Sequence, residues 1–325
     1  MMPTLAAIGL AFLAAGTPSL APPVQSSTFK VFLLAGQSNM EGQAVVAIDH
    51  PEHYNGGRGN LVNTMKDPTL AKRMSHLQDA DGDWTVRDDA FCWYRTDRGE
   101  LKAGPLSIGF AGYPGRDHFG PELQIGHLLA DAFAEPVLLI KTAWGGKNLH
   151  ADFRPPSAGG ETGPYYTRML EEYAEGVADA PRRFPALRGR TPQLAGFIWF
   201  QGWNDMFIDG GIDAYAANLV HLAADLRRHF DDPDLPIVVG ETGNAGNERF
   251  RAQQRLGTER IPAPSAFVPT RSFLRAPEDS PNQGHGHHWY GNAASYFLVG
   301  DGLGKATLRL VAPPASREPA TSNRN

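Results

Sequence analysis

The stretch KVFLLAGQSNM, residues 30–40, joins a predicted buried strand directly to a polar turn. Its apolar part, KVFLLA (30–35), is continuous rather than alternating, which is typical of a strand covered on both faces. The turn GQSNM (36–40) contains a glycine, two amides and a lone serine. Such a turn is either an ordinary strand-to-loop connection or the place where a nucleophile is displayed, and the rest of the sequence has to distinguish the two.

The same kind of apolar run recurs along the chain and predicts further strands. These runs are PVLLIK (136–141), LAGFIWF (194–200) and PIVVG (236–240). Helical periodicity covers residues 120–134, 165–178, 212–230 and 292–311. Strands that alternate with helices at this spacing form a parallel sheet with helices on both faces. We therefore predict the α/β class, as a three-layer α/β/α sandwich with a mainly parallel sheet of about five strands.

One segment departs from this alternation. Residues 45–116 are rich in Gly, Asp, Trp and Tyr and contain few long apolar runs. They predict a long loop-rich insertion after the first strand, made of loops or short hairpins lying over the sheet edge. Neither an internal repeat nor a linker marks a second domain, so we predict one catalytic domain over residues 28–312 and a flexible polar tail over 313–325.

The first residues of the chain carry a targeting pattern. An apolar stretch over residues 5–15 is followed by small residues and prolines, which predicts a signal peptide over residues 1–21. The stretch is too short to span a bilayer. We therefore expect a secreted or periplasmic protein that has no membrane partner after removal of the signal. The lone Cys92 cannot form an intrachain disulfide, and its aromatic neighbours indicate a packed, inert thiol.

Charge and composition limit the classes of partner. With a net charge of -5 and no long run of Lys or Arg, the chain does not fit nucleic-acid binding, and a small neutral or polar substrate is the better expectation. A cluster of histidines at 285–288, HGHH, allows a metal site, a solvated loop or a general base. Because no ligand motif such as HExxH accompanies it, we expect neither a metal nor a cofactor. The oligomeric state is left open.

Residues that follow the predicted strands include the equipment for acyl transfer. Ligands bind beyond the carboxyl ends of strands in an open parallel sheet. The residues at those ends are Gln37, Ser38, Trp144, Gly145, Gly146, Gln201, Trp203, Asn204 and Glu241. A serine nucleophile needs a base to take its proton and N–H donors to hold the oxyanion. GQSNM lacks the second glycine of GxSxG, so an α/β-hydrolase elbow is not indicated.

Five sequence blocks together resemble a known family. They are AGQSNMEG (35–42), FGPELQIG (119–126), TAWGGKNL (142–149), WFQGWND (199–205) and HHWYGNAASYFLVG (287–300). Their order and content are similar to the sialate O-acetylesterase-like branch of the SGNH (GDSL-like) hydrolase superfamily, near carbohydrate esterase family 6, over residues 32–304. The resemblance implies the SGNH-hydrolase (flavodoxin-like) architecture. It also implies a serine esterase that removes O-acetyl groups from a carbohydrate, either sialic acid or an acetylated plant or algal polysaccharide.

The resemblance also implies roles for individual residues. Ser38 would be the nucleophile that carries the acyl group, and His288 the base, with His287 as the alternative. The oxyanion would be met by the Ser38 N–H, by the N–H of Gly145 or Gly146, and by the amide of Asn204, with that of Gln201 as alternative. Substrate contacts are expected from Gln37, Trp144, Trp203 and Glu241.

Two departures from the family pattern affect these roles. The family often has QGExD, whereas this chain has Trp203 in place of the glutamate, which offers a face for stacking on a sugar ring. The DxxH motif is broken because His285 stands three residues before His288. Glu278 and Asp279 are the nearest carboxylates, and we predict Asp279 as the acid. A backbone carbonyl could instead orient the histidine and leave a Ser-His dyad.

The broken motif keeps two other functions open. One is a carbohydrate-binding protein without turnover, built on an esterase scaffold. The other is an SGNH hydrolase of the lipase or thioesterase type, which the polar character of the predicted rim disfavours.

Overall fold

A computed structural model describes residues 27–242 and 246–311 of the chain. The strands are β1 (Thr28–Gly36), β2 (Ala44–Val45), β3 (Ala90–Arg95), β4 (Leu101–Pro105), β5 (His118–Phe119), β6 (Val137–Ala143), β7 (Thr191–Phe200), β8 (Ile237–Gly240) and β9 (Ser265–Val268). The helices are α1 (Ser38–Glu41), α2 (Leu61–Thr64), α3 (Ala71–Met74), α4 (Glu122–Ala132), α5 (Pro164–Arg183), α6 (Gly211–His229), α7 (Glu248–Arg260) and α8 (Ala293–Val311). The signal peptide expected at 1–21 and the tail expected at 313–325 lie outside the described residues and stay predictions.

Seven strands form the main sheet, in the order β4-β3-β6-β1-β7-β8-β9. Strand β1 lies at its centre and pairs in parallel with β6 and β7, and only β4 runs antiparallel to its neighbour. The α/β prediction with a mainly parallel sheet is confirmed, but the number of strands is seven rather than about five. Three strands of this sheet, β3, β4 and β9, are not among the four predicted runs; β3 and β4 lie in the segment that was expected to be loop-rich.

The insertion extends the sheet instead of lying over its edge. Strand β3 pairs in parallel with β6, with Cys92 opposite Leu139, and β4 returns beside it as the edge strand. The chain after β4 then folds back toward the centre of the molecule. Lys102 holds this returning loop, because its ammonium donates hydrogen bonds to the backbone carbonyls of Gly109, Tyr113 and Gly115.

Helices cover both faces of the sheet and bury two separate cores. Side chains that alternate along β1 point in opposite directions, so Phe32 and Leu34 join one core, whereas Val31 and Leu33 join the other. The first core is packed by α4 and α8, and the second by α5 and α6. Within the described residues, none of the helices combines the length and the apolar character that crossing a bilayer requires.

The three central strands end at the same level. Gly36 at the end of β1 lies opposite Ala143 of β6 and Phe200 of β7. The approach to β7 is so close that a Cβ on Gly36 would lie 2.2 Å from the Phe200 carbonyl oxygen. Only glycine fits at this position. The loops that follow the three strands therefore begin side by side at one edge of the sheet.

Candidate active site

The loops after β1, β6 and β7 surround a cavity of about 480 Å³ at this edge. The His-rich segment and the returning loop of the insertion complete its walls. The residues that line it are Gln37, Ser38, Glu41, Gln43, Asp97, Arg98, Gly112, Tyr113, Gly145, Gly146, Trp203, Asn204, His287 and His288. Six of the sequence-predicted site residues outside the His-rich segment thus meet in one place, together with both candidate histidines.

Ser38 and His288 are in direct contact. Ser38 begins the short helix α1, and His288 belongs to a 3₁₀ turn over Gly286–Gly291. The His288 Nε2 lies 3.0 Å from the Ser38 Oγ, which is hydrogen-bond distance. His287 also lines the cavity, with its ring centre 4.0 Å from that of His288. Of the two candidate bases, only His288 hydrogen bonds to the serine in this structure.

The surroundings of His288 favour its neutral form. Burial, followed by the neighbouring rings of His287 and His285, lowers the pKa of His288 to about 3. No carboxylate among the described residues hydrogen bonds to its ring or raises this pKa. A neutral imidazole is the form that can accept a proton from a serine hydroxyl.

Asp279, predicted as the acid, is not brought to His288. Its backbone carbonyl accepts a hydrogen bond from Asn292 Nδ2 at 3.1 Å. Asp279 lines a second cavity, together with Arg58 and Arg275. Glu278 makes no hydrogen bond to the His288 ring either, and its backbone carbonyl accepts from Asn55 Nδ2 at 2.9 Å. The reason is local: a 3₁₀ turn at Pro277–Asp279 and the Asn292 contacts hold this segment away from the histidine ring.

Asn39 connects the nucleophile turn to the histidine turn. Its Nδ2 donates to the His287 carbonyl at 3.0 Å, and its Oδ1 accepts from the Tyr296 hydroxyl at 2.6 Å. Directly after His288, Trp289 and Tyr290 adopt φ of 53° and 55°, in the left-handed region that is uncommon for such side chains. Backbone contacts, rather than an acid, therefore fix where the histidine turn lies.

Candidate donors for an oxyanion line the same cavity as Ser38. Its own N–H has no hydrogen-bond acceptor within the described part of the chain. Asn204 Nδ2 donates one hydrogen to the Gly146 carbonyl at 2.6 Å, and Gln37 Nε2 binds Asn204 Oδ1 at 3.2 Å. This contact orients the amide and leaves its second hydrogen available. Gly146 has a φ of +74°, a conformation that favours glycine.

Gly145 differs from Gly146 in what its N–H meets. The Gly145 N–H donates a hydrogen bond to the carboxyl group of Glu41, whose pKa is nevertheless raised by burial. The Gly146 N–H has no acceptor among the described residues. Of the two glycines that the sequence left open, Gly146 is the one with a free donor.

A comparison with protein families identifies the family of this chain. The model of the family described as carbohydrate esterase, sialic acid-specific acetylesterase matches residues 28–307. The chain belongs to this family. The esterase is accordingly a carboxylic ester hydrolase of the carbohydrate acetylesterase type, as the five sequence blocks predicted. A search of curated proteins found no match.

Solved structures share the fold of the esterase at low sequence identity. A protein of Arabidopsis thaliana is 14% identical with a TM-score of 0.57, and the match covers 87% of this chain and 99% of that one. A carbohydrate acetylesterase of Xanthomonas citri is 17% identical with a TM-score of 0.51, over 86% of this chain and 56% of that one. The esterase thus spans about half the length of the Xanthomonas citri protein.

Gln37 and Gln201 form a buried hydrogen-bond network next to the site of the esterase. Gln201 Nε2 donates to Gln37 Oε1, to the Lys147 carbonyl and to Asp205 Oδ2, at 2.7–3.2 Å. Gln37 Oε1 also accepts from the Gly202 N–H at 3.0 Å. Both side chains are almost fully buried. The amide hydrogens of Gln201 are engaged in these bonds, and Gln37 lines the cavity while its Nε2 donates to Asn204 Oδ1.

Two of the expected substrate contacts lie in the interior instead. Trp144 is fully buried, stacks on Phe153, and donates its indole N–H to the Arg95 carbonyl. Glu241 pairs with Arg251 and accepts from the backbone of Thr270, away from the cavity. Neither side chain faces the cavity in this structure. A position at the end of a strand does not reveal which way the side chain points, so the sequence could not distinguish the two cases.

Trp203 does face the cavity. Its ring centre lies 5.4 Å from that of His287 and 5.5 Å from that of Phe207, which is 72% exposed. Trp203 thus presents an aromatic ring to the cavity. An aromatic surface of this kind can pack against the apolar face of a pyranose ring.

Several residues that the sequence reasoning passed over also shape the site. Asp205 is buried and accepts from the N–H groups of Leu149 and His150, so it ties the loop after β7 to the loop after β6. Burial raises the pKa of Asp205 to about 6. Glu41 lines the cavity one turn after Ser38. Both lie within the quoted blocks, so a signal existed, but their partners come from distant segments.

No group of three or more His, Cys, Asp or Glu side chains within the described ranges is arranged to hold a metal ion. The HGHH cluster contributes rings that contact one another and the cavity instead.

Proposed function

We propose that the esterase removes O-acetyl groups from a carbohydrate through an acyl-enzyme on Ser38. The observation that supports this most directly is the 3.0 Å separation between Ser38 Oγ and His288 Nε2 at a cavity that also contains unpaired N–H donors. Nucleophile, base and oxyanion donors are the three components that acyl transfer needs.

The reaction would begin as Ser38 Oγ attacks the acetyl carbonyl and His288 Nε2 takes the serine proton. The negative oxygen of the tetrahedral intermediate would be met by the N–H groups of Ser38, Gly146 and Asn204. The sugar oxygen then leaves with the proton from His288. Water, activated by the same histidine, hydrolyses the acetyl-serine and regenerates the hydroxyl.

A Ser-His dyad would carry these steps. The imidazole position is set by backbone hydrogen bonds of its turn, including His288 N–H to the His285 carbonyl at 2.9 Å. An orienting carboxylate normally also stabilises the imidazolium that forms during the reaction. A dyad without that charge is expected to turn over more slowly than a complete triad.

The sugar would bind against the polar and aromatic walls of the cavity. Trp203 offers a stacking surface, and Arg98 at the rim makes no ion pair with any described residue, whereas Asp97 is held by Arg168. An unpaired guanidinium suits the carboxylate of an acetylated sialic acid. An acetylated neutral polysaccharide is the other class, and comparing kcat/KM on the two distinguishes them.

The decisive experiment compares Ser38→Ala and Asp279→Asn with the wild type on an acetylated sugar. Ser38→Ala should lose at least about 10³-fold in kcat, since residual catalysis then comes only from binding and the oxyanion donors. Asp279→Asn is the matched control and should stay within about threefold, because only its backbone carbonyl is used. Trapping of an acetyl group on Ser38 by mass spectrometry would identify the intermediate.

Other results would point to other functions. A wild-type protein that binds acetylated sugars without turnover would support a carbohydrate-binding role. Faster hydrolysis of long acyl esters than of acetyl esters would support a lipase or thioesterase. A large loss of kcat in Asp279→Asn would show instead that Asp279 completes a catalytic triad.

A further inference from the structure

Glu41 lines the cavity and has no part in the proton transfers described above. It is the last residue of α1, the helix that begins with Ser38, and it lines the same cavity. Its carboxyl group is close to the nucleophile: a Cβ built on Gly145 would lie 3.1 Å from Glu41 Oε2 and 4.0 Å from Ser38 Cβ.

The protein holds this carboxyl group in one orientation. The Tyr94 hydroxyl lies 3.1 Å from Glu41 Oε1 and 3.2 Å from the Ala143 carbonyl oxygen. One phenolic hydrogen cannot serve both acceptors fully. A proton on Glu41 Oε1 resolves this, because Glu41 then donates to Tyr94 and Tyr94 donates to Ala143. Burial raises the pKa of Glu41, which is consistent with that arrangement.

Two glycines keep the same carboxyl group uncovered. A Cβ at Gly112 would lie 3.0 Å from Oε1, and one at Gly145 would lie 3.1 Å from Oε2. Any larger residue at either position would crowd or cover the group. With Oε1 turned toward Tyr94, Oε2 is the oxygen that remains an acceptor toward Gly145 and the cavity, whether or not Glu41 is protonated.

We propose that Glu41 Oε2 accepts a hydrogen bond from a free hydroxyl group of the sugar, next to the acetylated position, and thereby selects acetylated sugars over simple acetate esters. A group that close to Ser38 reaches the atoms adjacent to the scissile ester, not a distant part of the glycan. The inference rests on the proposed esterase function and names the feature of the substrate that this wall recognises.

Selectivity of this kind follows from burial. A site built to hydrogen bond a hydroxyl rejects an analogue that lacks it, because the acceptor is then left buried and unpaired. Tyr94 and Gly145 satisfy part of the Glu41 carboxyl group, so one further hydrogen bond from substrate completes its set.

The test uses three esters: a monoacetylated methyl glycoside with a free neighbouring hydroxyl, the same compound with that hydroxyl O-methylated, and 4-nitrophenyl acetate. Wild type should prefer the first over the second by about 10-fold or more in kcat/KM. Glu41→Leu should shrink the preference for the first over both other esters by about 10-fold. Glu41→Gln should retain part of it, since its amide can donate to Tyr94 and accept from substrate.

The variant Gly112→Ala is an independent test, because it adds a methyl group beside the Glu41 carboxyl group. It leaves the chemistry of Glu41 unchanged but crowds its carboxyl group, and it should reduce the same preference.

Three outcomes would overturn the inference. They are a wild type indifferent to O-methylation, an equal loss on all three esters in Glu41→Leu, and an unchanged preference in that variant. The wild-type comparison decides even where Glu41→Leu fails to fold. Failure of the proposed function is a separate result, since it appears as retained hydrolysis in Ser38→Ala.

Discussion

His288 shows how strongly a local environment sets the chemistry of one side chain. The ring is largely enclosed, and its closest titratable neighbours are two further histidines, so both influences act against the charged form. A neutral base is thus available over a wide pH range. The same environment gives little help to the imidazolium that each catalytic step creates.

The pH dependence of the esterase follows from this environment. The pKa of His288 is lowered to about 3, so the histidine stays in its neutral, competent form as the pH falls from 7 to 5. We expect kcat/KM on an uncharged acetyl ester to stay level over that range. A histidine with the ordinary pKa near 6.5 would lose roughly 30-fold by pH 5. An acid limb centred near 6.5 would contradict this prediction.

The sequence predicted the positions of some site residues correctly and those of others not. The pair Ser38 and His288 could be proposed because each lies in a block of fixed pattern. Asp279 was predicted as the acid only because it is near in sequence, and nearness along the chain does not determine where its carboxylate points. The sequence also could not predict the burial of Trp144, since an aromatic residue after a strand can turn either inward or outward.

At the scale of elements, one buried cation joins four segments around the nucleophile turn. Lys141, in the middle of β6, donates to the carbonyls of Glu41 and Phe110, each at 2.6 Å, and pairs with Glu122 of α4 at 2.8 Å. Both side chains of the pair are fully buried. The end of α1, the returning loop of the insertion and α4 are thus fixed to the central sheet by one ammonium group.

Removing the cation should therefore be costly. Lys141→Met leaves the Glu122 carboxylate buried without its partner, and we expect the free energy of unfolding to fall by about 3–5 kcal/mol. The double variant Lys141→Met/Glu122→Gln removes the stranded charge and should recover part of that loss. Urea unfolding of the three proteins measures both values. A single variant as stable as the double variant would show that the pairing is not what matters.

Elements with a clear apolar pattern between turn signals could be predicted, whereas helix α7 lacks such a pattern. Helix α7, Glu248–Arg260, buries mainly polar residues, among them Arg251, Gln254 and Thr258, so hydrophobic periodicity gives no signal for it. Its burial depends on partners such as the Gln201 carbonyl, which Gln254 binds at 3.0 Å. The β3–β4 hairpin was obscured for a different reason, since it lies in a segment rich in Gly and Asp.

At the scale of the whole molecule, the esterase buries ionisable side chains, and these make its free energy of unfolding depend on pH. His127 is 2% exposed, and burial, followed by His76 and Arg87, lowers its pKa to about 4. Burial likewise lowers the pKa of His118 to about 4. Both are neutral in the folded state near pH 6, whereas in the unfolded chain they take up protons below about 6.5.

Mild acid should destabilise the fold through these groups. A lowered folded-state pKa means that the unfolded state binds more protons between pH 6.5 and 4, so stability falls as the pH decreases through that window. We expect His127 alone to cost about 1–2 kcal/mol between pH 7 and 5.

The comparison that isolates this effect is urea unfolding of wild type and His127→Gln at both pH values. The acid loss should be smaller in the variant by that amount. The raised pKa of Asp205, about 6, acts in the opposite sense and is common to both proteins, so it cancels in the difference. Equal acid losses in the two proteins would contradict the prediction.

The contact between Ser38 and His288 joins residues 250 positions apart in the chain. Ser38 follows the first strand of the sheet, whereas His288 lies in the segment just before the last helix, α8. Closing a loop of this size is among the slower and entropically most demanding steps of folding. A ribosome-bound chain that ends before this segment would display the serine without its base. If Ser38 and His288 act as proposed, turnover during refolding is expected to begin only when the segment that carries His288 has docked against α1.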